Sequence, residues 1–329
     1  MTRRGQLLGL LADGSLHSGQ VLAAHLGVSR AAVAKQVHSL CAWGVPVEAV
    51  ARRGYRLAAP LELLQAGRIE AGLSAATRGR LERLEVHEQL PSTNSYLLAE
   101  TGLAAGHCRV CLAEQQSAGR GRRGRAWLAP FGSGLCLSLA WLFDPPPSAP
   151  GALSLAAGVA VVRALARLGV ADATLKWPND IYRAGGKLGG ILCELRFEAA
   201  GPAYVVIGVG LNVRLPQGLA DSIEAAGGVR PVDLTDLAAP PSRHALAVAL
   251  IDELATAAAT FATQGFAPFG TEWQQADALR DRPVRVHGAG AVPRDGIARG
   301  IDAQGSLQVE FGAGLEALTA GDVSLREVA

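Results

Sequence analysis

The chain has 329 residues, 49% of them hydrophobic and 18% charged, with a formal net charge of +2. That composition excludes wholesale disorder and gives room for about two to three domains with sizeable cores. Five scattered cysteines argue against a disulfide framework and for a reducing cytoplasm, and Met1-Thr2-Arg3-Arg4 leads into an amphipathic pattern rather than the apolar run of a secretory signal.

The net positive charge lies in residues 1–60. They net +5, from Arg3, Arg4, Arg30, Lys35, Arg52, Arg53 and Arg56 against Asp13 and Glu48, whereas the remaining 269 residues net −3. A basic head on a slightly acidic body suits a polyanionic partner for the head. The head reads as short helices at Gly5–Leu11 and Ser18–Leu26, a Gly27-Val28-Ser29 turn, and a third helix Arg30–Trp43 with Ser29 as its N-cap. Strands Val47–Val50 and Tyr55–Leu57 follow, joined around Arg52-Arg53-Gly54. This order predicts a winged helix-turn-helix with Ser29–Leu40 as recognition helix. Ser29, Arg30, Lys35, Gln36 and His38 would supply its reach, and Arg52 and Arg53 a wing that lies on phosphate.

From about Pro60 to Glu272, strand and helix signals alternate. Arg109–Glu114, Gly134–Phe143, Thr174–Trp177, Lys187–Phe197 and Tyr204–Val213 predict strands. Asn94–Thr101, Ala152–Leu168 and Arg243–Ala262 predict helices, the last two apolar but interrupted by charge, as in buried helices rather than membrane spans. From Trp273 onward, short β runs split by glycine (Val284–His287, Gly296–Ile301, Leu307–Phe311, Leu315–Leu318) predict a small barrel.

The stretch Gly119-Arg120-Gly121-Arg122-Arg123-Gly124-Arg125 formally matches G-x-G-x-x-G. It runs into Ala126-Trp127 and Pro130-Phe131-Gly132 instead of a helix, so the dinucleotide reading fails. What remains is a flexible loop dense in guanidinium groups beside an indole. Such forks suit phosphate or carboxylate, and Trp127 offers a face to a base; a solvated basic loop has the same composition. Three more clusters narrow the choice. Ser92-Thr93-Asn94 brings hydroxyls and an amide to a strand-to-helix junction. Lys176-Trp177-Pro178-Asn179-Asp180 packs a cation, an aromatic, a rigid turn, an amide and a carboxylate together. In Gly185-Gly186-Lys187-Leu188-Gly189-Gly190 a Lys stands between glycines, in a chain with only three Lys among 31 basic residues.

In this order the motifs resemble the bifunctional biotin–protein ligases that also repress the biotin operon. The head carries Leu16-His17-Ser18-Gly19, Leu26–Val33 and Arg53-Gly54-Tyr55. The central part adds Ile207-Gly208-Val209-Gly210-Leu211-Asn212, and the tail Arg282-Pro283-Val284 and Arg299-Gly300-Ile301-Asp302. The resemblance implies an α+β multidomain chain: a winged helix-turn-helix over 1–60, a class II synthetase-like mixed-sheet ligase core over 61–272, and an SH3-like β-barrel over 273–329. It implies biotin and Mg-ATP as substrates, biotinyl-5′-adenylate as intermediate, and a lysine of the biotin carboxyl carrier protein of acetyl-CoA carboxylase as acceptor. It also implies biotin operator DNA as a partner and a homodimer when the adenylate is bound, with no membrane.

Carried over residue by residue, the resemblance assigns catalysis to Lys187, Arg122 and Asp180. Biotin falls to Ser92, Thr93, Asn94, Gln116, Arg120, Gly121, Arg122, Lys187 and Gly190. The nucleotide falls to Arg120, Arg122, Trp127, Lys176, Asn179 and Asn212. Asp180 would assist the acceptor lysine or help hold Mg²⁺. Ser117 and Gly186 depart from the family's usual Gln and basic residue. The alternative function is a biotin-sensing transcription factor without catalysis; the joint presence of Lys187, Arg120, Arg122 and Asp180 argues against it. Cys108-x-x-Cys111 has no second pair, and residues three apart on a strand face opposite sides, so no metal or redox role is expected.

Overall fold

The structure is a computed structural model that describes residues 2–197, 201–288, 292–319 and 323–327. The head consists of α1 (Arg3–Leu11), α2 (Gly19–Leu26), α3 (Arg30–Ala42) and the antiparallel hairpin β1 (Val47–Val50) and β2 (Gly54–Leu57). Leu7, Leu8, Leu11, Leu22, Val33, Val37 and Leu40 form its buried core. Thr2, Ser18 and Ser29 each cap a helix by accepting a backbone N–H at its first turn. Gly54 has φ +139°, and a Cβ there would collide with the His17 carbonyl, so only glycine lets the hairpin close on the α1–α2 connection.

The central part adds α4 (Ala66–Gly72), α5 (Ala75–Arg78), β3 (Leu81–His87), α6 (Thr93–Leu98), β4 (Cys108–Ala113), β5 (Gly134–Phe143) and α7 (Leu153–Arg167). There follow β6 (Thr174–Lys176), β7 (Asp180–Arg183), β8 (Gly186–Phe197), β9 (Ala203–Asn212), α8 (Leu219–Ala225), α9 (Arg243–Gln264) and α10 (Gly270–Ala276). The sheet is mixed, in the order β3-β4-β5-β9-β8-β7-β6; β3 and β4 are parallel and the other pairings antiparallel. Strand alternation gives it two different faces. Leu135, Leu137 and Leu139 of β5, with Val205, Ile207, Val209 and Leu211 of β9, join the main core under α7 and α9. The alternate residues face α6 and, beyond its end, the site described below. Two helical stretches, Pro150–Arg167 (α7 with the turn before it) and α9, are long and apolar enough to span a membrane, yet they bury most of their apolar residues within this fold.

The last part is a five-stranded antiparallel sheet of β10 (Pro283–Gly288), β11 (Arg294–Ile301), β12 (Leu307–Phe311), β13 (Gly314–Leu318) and β14 (Val323–Glu327), in the order β13-β12-β11-β10-β14. The junction expected at 272/273 falls inside α10, whose Trp273 is buried in the central core. The Trp177 indole donates to the Gly305 carbonyl at 3.1 Å and ties the β11–β12 turn to the central part.

Candidate active site

The floor of the site is set by strand register. Across the sheet, Cys136, Gly210, Gly190 and Asp180 pair in one row, and Ser138, Gly208 and Leu192 in the next. The glycines leave room above the sheet. A Cβ on Gly208 would collide with Asn94 Oδ1, and one on Gly210 would lie 2.6 Å from the Trp127 ring.

One end of the floor is a buried polar knot at the start of α6. Ser92 caps the helix by accepting from Ser95 N–H. Thr93 donates to Gln116 Oε1 from its amide at 2.8 Å and from its hydroxyl at 3.2 Å. The Ser138 hydroxyl lies 2.7 Å from Thr93 Oγ1 and 2.6 Å from Asn94 Oδ1. Ser92, Thr93, Asn94 and Ser138 are all buried. So dense a cluster of donors and acceptors in the interior suits a small polar group such as a cyclic urea.

The arginine loop folds over this floor. Its backbone forms a narrow hairpin, with bridges Gln116–Ala129 and Arg120–Ala126 and the Gly121 N–H donating to the Arg125 carbonyl at 2.7 Å. Gly119 is required because a Cβ there would strike the Trp127 carbonyl, and Arg123 takes the tip with φ +57°. Arg120 Nη2 donates to Ser95 Oγ at 2.8 Å and pairs with Glu194 at 3.3 Å. Arg122 Nη1 donates to Asn179 Oδ1 at 3.4 Å. Burial, with Arg123 and Arg125 nearby, pulls the Arg122 pKa below its ordinary value, and Asp180 opposes that shift.

At the other end, Lys187 Nζ donates to Asp180 Oδ1 at 2.6 Å and stands 5.9 Å from the centre of the Trp127 ring. Asn179 is fixed by donating to the Ile191 carbonyl at 2.7 Å. Trp177, Pro178 and Asn179 form the expected turn between β6 and β7, and β7–β8 pairing sets Asp180 against Gly190. Gly186, where the family usually has a basic residue, is explained locally: residues 230–232 run alongside Lys187, and a Cβ on Gly186 would strike the Val232 side chain.

The biotin/lipoate A/B protein ligase family matches residues 86–212, an HTH domain residues 3–56, and the biotin protein ligase C-terminal domain residues 281–326. The bifunctional ligase/repressor BirA of Salmonella typhimurium is 40% identical over 321 residues, covering 97% of this chain and 96% of its own. The chain belongs to the bifunctional biotin ligase/repressor family. The biotin–[acetyl-CoA-carboxylase] ligase of Mycobacterium tuberculosis is 39% identical over 73% of this chain and 88% of its own. The structure of a biotin protein ligase from Aquifex aeolicus in complex with biotin and ATP shares the fold, with a TM-score of 0.61 at 24% identity, over 75% of this chain and 100% of that one.

As a member of this family the chain unites a ligase with a DNA-binding repressor. In the head, Arg30 and Lys35 are exposed on α3, and Arg52 and Arg53 are exposed at the hairpin tip. Two expected DNA contacts are otherwise engaged. The Ser29 hydroxyl accepts the Ala32 N–H at 3.2 Å, and Gln36 Oε1 is shut away from solvent without a partner. In the ligase site, two residues expected to serve the nucleotide also make internal bonds. Asn212 donates to the carbonyls of Lys187 and Val232, at 3.3 and 3.0 Å, so its amide N–H groups brace the chain beneath the site. Lys176 is buried and donates to the Tyr182 hydroxyl at 3.1 Å.

Sequence reading missed Ser138 and Glu194. Neither lies in a motif, and only the alternation of β5 and β8 could have hinted at them. The Cys108 and Cys111 side chains do lie on opposite faces, in separate core clusters; burial pushes the Cys108 thiol up to about 12 and the Cys111 thiol higher still, which keeps both protonated. Among the described residues no three His, Cys, Asp or Glu side chains cluster as metal ligands.

Proposed function

We propose that the chain joins biotin to ATP, giving biotinyl-5′-adenylate and pyrophosphate, and then acylates one lysine of the biotin carboxyl carrier protein of acetyl-CoA carboxylase. With the adenylate bound, two copies associate and their heads repress biotin synthesis genes at an operator in the cytoplasm. The observation that carries the ligase reading is the Lys187–Asp180 pair, 2.6 Å apart at the edge of a glycine floor, with Trp127 and Arg122 above it.

In the first step a biotin carboxylate oxygen forms a bond to the α-phosphorus, and the bond to the pyrophosphate oxygen breaks. Two anions meet, so positioned cations do most of the work. Lys187 turns from Asp180 towards the carboxylate and the phosphoryl oxygens; a compact ammonium on a flexible stem can make that move. Arg120 and Arg122 add charge from the hairpin, which with Gly121 covers the mixed anhydride and excludes water. Ser92, Thr93, Asn94, Gln116 and Gly190 hold the bicyclic ring. Trp127 stacks on adenine, and Lys176, Asn179 and Asn212 support the nucleotide side. Asp180 is a hard oxygen donor of the kind Mg²⁺ takes, and with no ready cluster of three ligands among the described residues the ion would arrive on the ATP phosphates. Mg²⁺ neutralises phosphate charge when bound. In the second step the acceptor amine forms the amide bond, AMP leaves with the bonding pair, and the amine's proton is lost. Asp180, released by Lys187, is placed to take it.

Incubation with biotin, ATP and an apo-carrier domain, followed by mass measurement, tests this reading. A carrier heavier by one biotinyl group is expected. An unmodified carrier would favour the pure sensor.

A further inference from the structure

Glu194 lies one row beyond Ser138–Gly208–Leu192 on the same sheet face, pairing with Val206. Its two oxygens have different partners. Oε2 accepts from Asn94 Nδ2 at 2.9 Å, and Oε1 faces Arg120 Nη2 at 3.3 Å. Asn94 Nδ2 also donates to the Leu192 carbonyl at 3.0 Å. Both N–H groups of the Asn94 amide therefore point at groups that can only accept, an ionised carboxylate and a backbone carbonyl. The amide has one orientation, and its Oδ1 is left facing Ser138 and the floor over Gly208. A ureido ring brings two N–H donors into such a pocket. An oxygen there accepts one of them; an NH₂ there would oppose it.

We infer that Glu194 is a positioning residue for biotin: by holding the Asn94 amide in one orientation, it makes Asn94 an acceptor for a ureido N–H. The inference rests on the ligase reading above. Glu194 touches neither substrate nor reacting atoms, and it acts through Asn94. Arg120 balances the carboxylate's charge at the rim of the pocket. Gln at this position has almost the same volume, but its amide can offer either an oxygen or an NH₂ to Asn94. The Asn94 orientation would then rest on the Leu192 carbonyl alone, and the lock would be weakened while the packing stayed.

The test is biotin-dependent exchange of pyrophosphate into ATP by the full chain, with KM measured separately for biotin and ATP. Glu194→Gln is expected to raise the biotin KM about tenfold, the size of one well-placed hydrogen bond, with kcat and the ATP KM unchanged. In an Asn94→Ala background, Glu194→Gln is expected to add nothing further. An unchanged biotin KM overturns the assignment. So does a parallel rise in both KM values, which marks a general structural role, or a penalty that persists in the Asn94→Ala background. Absence of biotin-dependent exchange in the wild-type chain would instead overturn the ligase reading itself.

Discussion

Lys187–Asp180 and Arg243–Glu114 are both ion pairs with an N···O distance of 2.6 Å, but their surroundings differ. The first stands at the site with its side chains 25% and 22% exposed. The second is buried, at 5% and 4%. Every direction around the buried pair is filled. Arg243 also donates to the carbonyls of Gly134 and Glu62, and Glu114 Oε1 accepts the Leu64 N–H at 2.6 Å. Beside it, Gln65 N–H donates to His244 Nε2, so the Nδ1 of that ring carries the proton and donates to Glu62 at 2.6 Å. This network pins residues 62–65, the segment between head and core, to the start of α9. The site pair has no such enclosure. A charge pair with room around it can exchange its partner for a ligand; an enclosed one can only hold the fold.

The sharpest way to break that distinction is to remove one partner from each pair. Glu114→Ala leaves a buried guanidinium uncompensated and should cost about 3–5 kcal/mol of stability. Denaturant unfolding measures it, and a loss below about 1 kcal/mol would show that the pair behaves like a surface pair. Lys187→Ala should do the reverse. Stability should change by no more than about 1 kcal/mol, while adenylate formation slows by about 10²–10³. Pyrophosphate release at the wild-type rate would remove Lys187 from the chemistry.

Asp277 sharpens the comparison because it is a largely enclosed carboxyl with no ion-pair partner among the described residues. Its Oδ1 accepts the Leu279 N–H at 2.9 Å, but Oδ2 is buried with no hydrogen bond. Burial raises its pKa from 3.8 to about 6. The folded state therefore holds a proton that the unfolded state has already released between those values. Stability falls as pH rises from about 4 to about 6, and the penalty is complete above that window. Asp277→Asn keeps the Leu279 bond and removes the charge. It should gain up to about 3 kcal/mol at pH 8 and nothing below pH 4, since each pKa unit is worth about 1.4 kcal/mol. A gain independent of pH would point to packing, not to the carboxylate.

These pairs also mark how far the sequence could be read. β5 was legible end to end because it is an apolar run from Gly134 to Phe143 broken only at Ser138, and β12 because Leu307, Val309 and Phe311 alternate. β3 was not, since Glu82, Arg83 and Glu85 hide its period; these charges are met by Arg109, Glu100 and Tyr96 from elsewhere in the chain. The central site motifs could be found because their residues lie within a few positions of one another. Glu194 and Ser138 could not, because their roles come from register across β8, β9 and β5. The Glu62–Glu114–Arg243–His244 network joins residues up to 182 positions apart, and no local pattern announces such partners. Gln36 and Asn212 show the converse: a polar side chain in a motif reads as outward reach, and no motif announces that Gln36 Oε1 and the Asn212 N–H groups face inward.

Arg52 and Arg53 complete the series as exposed cations with no ion-pair partner among the described residues. Hairpin geometry explains why they stand clear. Arg52 takes φ +60° at the tip, and Gly54 at φ +139° turns the chain back into β2, leaving both side chains exposed beyond the β1–β2 pair. Nothing in the fold needs their charge, so their removal should leave stability within about 0.5 kcal/mol of wild type. A phosphate backbone would use that charge without reading sequence. Arg52→Ala with Arg53→Ala should therefore weaken operator and unrelated duplexes alike, and lower the slope of log affinity against log salt by about 0.9 for each phosphate that the wing no longer neutralises. Arg30→Ala on α3 should instead reduce the preference for the operator over an unrelated duplex, because a helix in the major groove meets base edges. Titrations at several salt concentrations, read by fluorescence anisotropy, separate the two. A salt slope unchanged by the double substitution would mean that the wing does not touch DNA, and that the head's positive charge acts through α3 alone.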